Sequence, residues 1–224
     1  VEEMGGKVAG KPIEVIFADH QNKPDIGVAI ANKWLDVDKV DAILDVPTTS
    51  VALALQEITR NKNRAFLVSG GGGDQLTGAA CSPTTAQWTY DTYALSNGVA
   101  SAGVQMFGKD WFFLTVDYAF GHALEKGLGD MVAAKGGKVV GSVRHPLNNA
   151  DFSSFLLQAQ QSKANVVALA NASGDTLNSI KQAQEFGLPQ GGQTLAAMML
   201  FPTDIKALGL ESAQGLVMMD AWDP

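Results

Sequence analysis

Residues 110–143 read DWFFLTVDYAFGHALEKGLGDMVAAKGGKVVGSV. At 110–116 both alternating sets of side chains are apolar, which predicts a strand buried on both faces. A short loop, DYAFG at 117–121, follows. Residues 121–135 then carry apolar positions at helical spacing, and 138–143 return as a β-branched run. Strand, helix and strand in this order imply a right-handed crossover between parallel strands.

The same unit recurs in both directions along the chain. Towards the N-terminus, strands are predicted at 12–18 (PIEVIFA), 40–46 and 64–68, with helices at 26–35 and 50–59 and a glycine loop after 68. Towards the C-terminus, strands at 138–143, 165–170, 194–199 and 215–220 alternate with helices at 152–161 and 175–186. The fold class is therefore α/β, with doubly wound parallel sheet. In such sheets ligands sit beyond the carboxyl ends of the strands, at a switch point or in a cleft between two sheets. That rule selects the loops 45–50 (DVPTTS), 69–75 (SGGGGDQ), 117–121, 171–175 (NASGD), 199–204 (MLFPTD) and the segment 220–224.

Composition narrows the function. The chain has 224 residues, 46% hydrophobic and 17% charged, with 24 glycines and 8 prolines, an ordinary globular balance. A net charge of −7, with no run among the 16 Lys and Arg residues, argues against a nucleic-acid partner. The single cysteine, Cys81, rules out an internal disulfide and a cysteine-based zinc site, and His20, His122 and His145 lack metal-ligand spacing. No metal or cofactor is expected. No apolar run reaches the ~20 residues that span a bilayer, so no direct membrane insertion is expected of this segment. The ends read as trimmed, and the chain is expected to be incomplete at both.

Gly70 to Gly73 follow a strand, and their backbone amides would suit an anion; a flexible loop is the other reading. The Walker and dinucleotide patterns are absent, since Asp74, Gln75, Leu76 and Thr77 follow instead. Thr48, Thr49 and Ser50 precede an apolar helix, so one hydroxyl is expected as its N-cap, and the same helix start is suited to a carboxylate. The acids Asp36, Asp38 and Asp41 read as a solvated helix end rather than a calcium loop.

A hydrolase reading finds no G-x-S-x-G elbow, and His122 reads as a partly exposed helix residue. Asp117 and Asp175 are conceivable glycosidase carboxylates, although Asp175 reads more simply as a helix cap. Aromatic residues are sparse at 8%. Those on the selected loops or at the helix start near 90 are Trp88, Tyr90, Tyr93, Tyr118, Phe120, Phe201 and Trp222, and rings facing one cleft would suit an apolar ligand.

The strings VDAILDVPTTSVALAL, FLVSGGGGDQLTG, CSPTTAQWTYDTYAL, FFLTVDYAFGHAL, IKQAQEFGLP and ALGLESAQGLV occur in order through nearly the whole chain. Together they resemble the branched-chain amino acid-binding family of periplasmic solute-binding proteins, with the type I periplasmic fold. The resemblance implies two α/β lobes joined by a hinge of crossing strands, a ligand held in the cleft, an ABC importer permease as membrane partner, and a periplasmic location. It implies no enzyme activity. The first lobe would be 1–86, lacking the family's first strand; the second would be 87–219; and 220–224 would begin the return crossing.

By family position, Thr48, Thr49, Ser50, Gly71 and Gly72 would take a ligand carboxylate. Trp88, Tyr118, Phe120, Asn171, Ser173, Met199, Phe201 and Trp222 would meet the rest of the ligand. The chain departs from amino-acid binders: Phe120 replaces a usual tyrosine, and the position of the ammonium-binding acid reads Met198-Met199-Leu200-Phe201. Burying an ammonium there without a counter-charge would cost several kcal/mol. Strings similar to CSP-WTYDTYAL occur in carriers of aromatic acids, so the resemblance implies a benzoate, phenylacetate or cinnamate-like ligand. The alternatives are an amino acid or amide, or a ligand-sensing regulatory domain of the same fold.

Overall fold

The apolar runs assemble into two parallel sheets in the computed structural model, which describes residue 3 and residues 5–219. In the first sheet Ala42–Leu44 (β3) pairs with Ala65–Val68 (β4), which pairs with Thr85–Gln87 (β5), each in parallel. The short strands Lys7–Val8 (β1) and Lys11–Pro12 (β2) form a separate antiparallel hairpin. The second sheet is built from Asp110–Val116 (β6), Lys138–His145 (β7), Val166–Ala170 (β8), Thr194–Ala197 (β9) and Val217–Met218 (β10). Its order is β10-β9-β8-β6-β7, again all parallel. The α/β class with doubly wound parallel sheet is thus the observed one.

Helices cover the sheets because strands buried on both faces need an apolar layer on each side. Pro24–Asp36 (α1) and Thr49–Asn61 (α2) close the first core, in which Leu35, Val51, Ala52 and Leu55 pack with Ile43, Phe66 and Val68. Along β6 the side chains divide by alternation. Trp111 and Phe113 face Leu95, Val99, Leu124 and Leu128 of Thr92–Met106 (α3) and Ala119–Ala134 (α4). Phe112 and Leu114 join the core of Phe152, Leu156, Ile180 and Leu208, contributed by Ser153–Gln161 (α5), its preceding residue, Ser173–Glu185 (α6) and Pro202–Leu208 (α7).

One predicted strand does not form. Beyond Pro12, residues 13–19 of the PIEVIFA stretch and its turn are exposed and carry no strand pairing, with Phe17 93% exposed. The run has strand propensity, but a strand also needs a neighbouring ladder to take its N–H and C=O groups, and past the Ile13 N–H, which donates to the Gly6 carbonyl (3.0 Å), no sheet of the described residues supplies one. Conversely, β5 lies in a stretch given no element by its sequence. Asp36, Asp38 and Asp41 form a solvated helix end, paired with Lys62 (2.6 Å), Lys33 (2.7 Å) and Arg64 (3.9 Å).

In the second sheet β7 and β8 flank β6 on opposite sides, so the strand order reverses at β6. The loops after β6, β7, β8 and β9 therefore leave the same sheet end and splay apart, which opens a crevice there.

Candidate functional site

A cleft of ≈310 Å³ occupies that crevice, and the loops after β3 and β4 of the first sheet form its other wall. Asn22, Pro47, Thr48 and Gly70 line the first-sheet side; Val116, Tyr118, Phe120, Leu147, Asn148, residues 172–175, Met199 and Phe201 line the second, and Tyr90 joins them from the connection. A wider depression of ≈420 Å³ lies elsewhere, among α5, α6 and the residues before α5. It is an open polar groove away from the strand ends.

On the first wall the expected hydroxyl cap is absent. Thr48 is the N-cap residue of α2 by backbone, yet no side chain caps that helix. Its hydroxyl donates instead to Oδ1 of Asn22 (2.5 Å), and the Thr49 hydroxyl accepts the Gly73 N–H (3.2 Å). Both hydroxyls are spent on tethering neighbouring loops, so the first turn of α2 keeps its backbone N–H groups free of side-chain acceptors. Such a helix start attracts an anion through its orphan donors and its dipole. Asn22 holds a left-handed backbone (φ 56°), a conformation that asparagine tolerates better than most residues.

Rings dominate the second wall and the connection. Tyr118 and Phe120 stack at 6.1 Å, and Tyr90 and Phe201 tilt together at 5.9 Å. Their backbones are fixed locally. Asp91 caps α3 by accepting the Ala94 N–H (2.7 Å), next to Tyr90, and Asp204 of α7 accepts the Phe201 N–H (3.0 Å). Tyr90 also donates its hydroxyl to the Gly70 carbonyl (3.2 Å), so it touches both walls. Burial, and then the nearby charges of Asp175 and Tyr90, raise the Tyr118 phenol to about 12, so it stays a neutral donor at any physiological pH.

Glycines permit the close contacts. A Cβ on Gly72 would stand 3.1 Å from the rings of both Phe120 and Tyr90, and one on Gly121 would stand 2.1 Å from the Val116 carbonyl oxygen.

The residues named from sequence divide by place. Thr48, Tyr118, Phe120, Ser173, Met199 and Phe201 line the cleft. Thr49 and Gly71 are buried behind the first wall, and Gly72 packs beneath the rings. Ser50 lies in α2 and does not line the cleft; Trp88 is 64% exposed and outside it. Asn171 is wholly buried and outside it, and Trp222 lies outside the described residues, as does the segment 220–224.

A profile of the periplasmic binding protein family matches residues 1–224. The chain belongs to that family. Among solved structures, it is similar to a periplasmic binding protein from Burkholderia mallei, with 52% identity and a TM-score of 0.94 over 99% of this chain and 59% of that one. It also resembles a solute-binding protein of an ABC transporter from Rhodopseudomonas palustris BisB5 in complex with 3,4-dihydroxybenzoic acid, at 27% identity and a TM-score of 0.77 over 92% of this chain and 55% of that one. A curated relative, Leu/Ile/Val-binding protein homolog 6 of Brucella suis biovar 1 (strain 1330), is 26% identical over 219 residues, 96% of this chain and 55% of the relative. The chain thus spans a little over half the length of the proteins it matches. No helix of the described residues is long and apolar enough to cross a membrane.

Sequence reasoning missed the lining residues Asn22, Val116, Leu147 and Asn148 of this periplasmic binding protein, while Pro47, Gly70, Tyr90, Ala172, Gly174 and Asp175 lay on or beside selected loops without being named as ligand contacts. Asp175 matters most. It does not cap its own helix: α6 has no side-chain cap, and the carboxylate accepts the N–H groups of Asn148 (3.0 Å) and Asn149 (2.8 Å) from the loop after β7. Asp117, its conceivable glycosidase partner, is exposed and sits 2.7 Å from Nε2 of His122.

Behind this wall runs a buried relay. Nδ1 of His145 faces the Pro146 carbonyl (2.8 Å) and so carries the proton; Nε2 accepts from the Asn171 amide (3.1 Å), and Thr176 donates to Asn171 Oδ1 (2.8 Å). Burial lowers the His145 pKa from its ordinary 6.5, against smaller opposing effects of the Pro146 carbonyl, Asp175 and Asp117. The unfolded chain therefore binds this proton more readily than the folded one, and stability falls as pH drops from 6.5 to the lowered folded value. Urea titrations are expected to show this loss at up to about 1.4 kcal/mol per pH unit in that window. His145→Gln, which cannot titrate, should flatten that part of the profile.

Proposed function

We propose that this chain is the ligand-binding body of an extracytoplasmic receptor for an ABC importer, capturing a small aromatic carboxylate without chemical change. The carrying observation is one cleft with two unlike walls. The first has an uncapped helix N-terminus beside Thr48, Asn22 and Gly70; the second has the rings of Tyr118, Phe120 and Phe201 with Met199. A carboxylate suits the first and an apolar ring the second. The ≈310 Å³ volume lies at the small end of the ~300–1,000 Å³ range for ligand pockets.

In this reading residues 1–86 and 87–219 are the two lobes. The ligand docks on the first, and the rings of the second close over it, a population shift toward the closed state. The permease of an importer is the membrane partner, and the periplasm the site of action. The relative bound to 3,4-dihydroxybenzoic acid supports an aromatic ligand, and the Leu/Ile/Val-binding relative supports an amino acid. A specific observation favours the second reading too: Asp175 places a buried carboxylate in the cleft wall, where the sequence had offered an ammonium no counter-charge.

A thermal-shift panel decides between them. A ligand at ~100 times its dissociation constant adds ~2.7 kcal/mol, or about 5–11 °C for a chain of this size. Benzoate, phenylacetate or cinnamate-like acids are expected to raise Tm by that amount, and leucine, isoleucine and valine to leave it unchanged. The opposite pattern would replace the aromatic acid by an amino acid.

A further inference from the structure

We propose that Asp175 reads a hydrogen-bond donor on the ligand at the end remote from its carboxylate, so that the ligand is an aromatic acid bearing a ring hydroxyl or amine. This rests on the aromatic-acid reading and narrows it.

Asp175 is only 4% exposed and lines the cleft on the second-sheet wall, beside Ser173, Gly174 and Asn148. An ionised carboxylate offers about four acceptor positions and no donor. Two are taken by the backbone N–H groups of Asn148 and Asn149, one on each oxygen. No lysine or arginine lines the cleft, and no ion pair among the described residues includes Asp175.

Two consequences follow. A ligand carboxylate is repelled from this wall and goes to the start of α2, which orients the ligand. A bare ring edge presented to Asp175 strips water from a charged acceptor without replacing its hydrogen bonds, whereas a phenol or aniline N–H satisfies it. A site built to bond a hydroxyl discriminates strongly against the analogue without one, because its own polar group is left unpaired. The neighbouring Tyr118, whose phenol is pushed further from ionisation by burial and then by Asp175, adds a hydroxyl able to accept or donate on the same wall.

Calorimetric titration of the full chain with benzoate, 4-hydroxybenzoate, 4-aminobenzoate and 4-methoxybenzoate tests the proposal. The hydroxy and amino acids are expected to bind ~10- to 100-fold tighter than benzoate, the range for a hydrogen bond to a charged group, and the methoxy acid no tighter. In Asp175→Asn the ratio of the 4-hydroxybenzoate and benzoate affinities should fall to within about threefold, while benzoate itself still binds. The wild-type series decides even if that variant fails to fold. Equal affinities across the series in the wild type overturn the role of Asp175 and leave the aromatic-acid reading intact. Binding of leucine with no binding of any benzoate overturns both.

Discussion

Replacing Trp111 by alanine is expected to cost about 3–5 kcal/mol, the largest loss of any single change considered, and to lower Tm by roughly 6–20 °C. Trp111 is fully buried on β6, the strand at which the order of the second sheet reverses. Its ring presses so closely on α3 that a Cβ on Gly103 would stand 2.7 Å from the ring edge. Its Nε1–H donates to the Gly108 carbonyl (2.9 Å). Truncation leaves a cavity between β6, α3 and α4 that a rigid strand and two helices collapse into only partly, and deprives a partly buried carbonyl of its donor. Trp111→Phe retains most of the ring volume and should lose less than half as much. Denaturant melts check both values, and a loss under about 1 kcal/mol for alanine would show that this contact is not central to the core.

Replacing Gly72 by valine is expected to weaken ligand binding about 10- to 100-fold and also to lower the stability of the unliganded protein, because the Tyr90 ring stands as close to the added side chain as Phe120 does. Gly72 belongs to the first wall, and the ring of Phe120, carried by α4 on the second, rests where its side chain would be; the ring of Tyr90 comes equally near. In the proposed closure the Phe120 contact belongs to the closed form, so methyl groups added at Gly72 overpack that form against the ring, whereas the Tyr90 contact persists because Tyr90 is bonded to the Gly70 carbonyl. Overpacking of this kind costs ~1–3 kcal/mol, and a penalty confined to the binding-competent state passes directly into the dissociation constant. Titration of the variant with the best ligand of the thermal-shift panel measures it. An unchanged dissociation constant together with an unchanged Tm would mean that the contact at Gly72 plays no part in binding.

The second wall was the more legible in sequence. Tyr118, Phe120, Met199 and Phe201 each follow a strand closely, and the rule that ligands lie beyond strand ends brings such loops together without any knowledge of distances. The first wall was less so. Thr48 was identified, but one hydroxyl among Thr48, Thr49 and Ser50 was expected to cap the helix, because sequence shows the local acceptor position and not the competing partner 26 residues from Thr48, Asn22. Asn171 sits on a selected loop as well, yet a single residue's rotation turns it inward to His145 and Thr176 rather than toward the cleft. Asp175 was read as a cap for the same reason as Thr48: its bonds go to a loop 26 and 27 residues earlier in the chain, a separation that leaves no trace in local pattern.

By itself the sequence determined the α/β class, the parallel direction of the strands and several of the loops that meet at the cleft, though not the one after β7 that brings Leu147 and Asn148. These depend on hydrophobic periodicity and on the handedness of crossovers, both properties of short stretches. Only the tertiary structure decided that residues 13–19 join no sheet, that the hydroxyls at the start of α2 tether loops, and that a carboxylate stands in the wall opposite that helix. Each of these depends on which polar partner arrives from far along the chain. A buried hydrogen bond is won by the group that comes within about 3 Å, and residue order does not fix that distance.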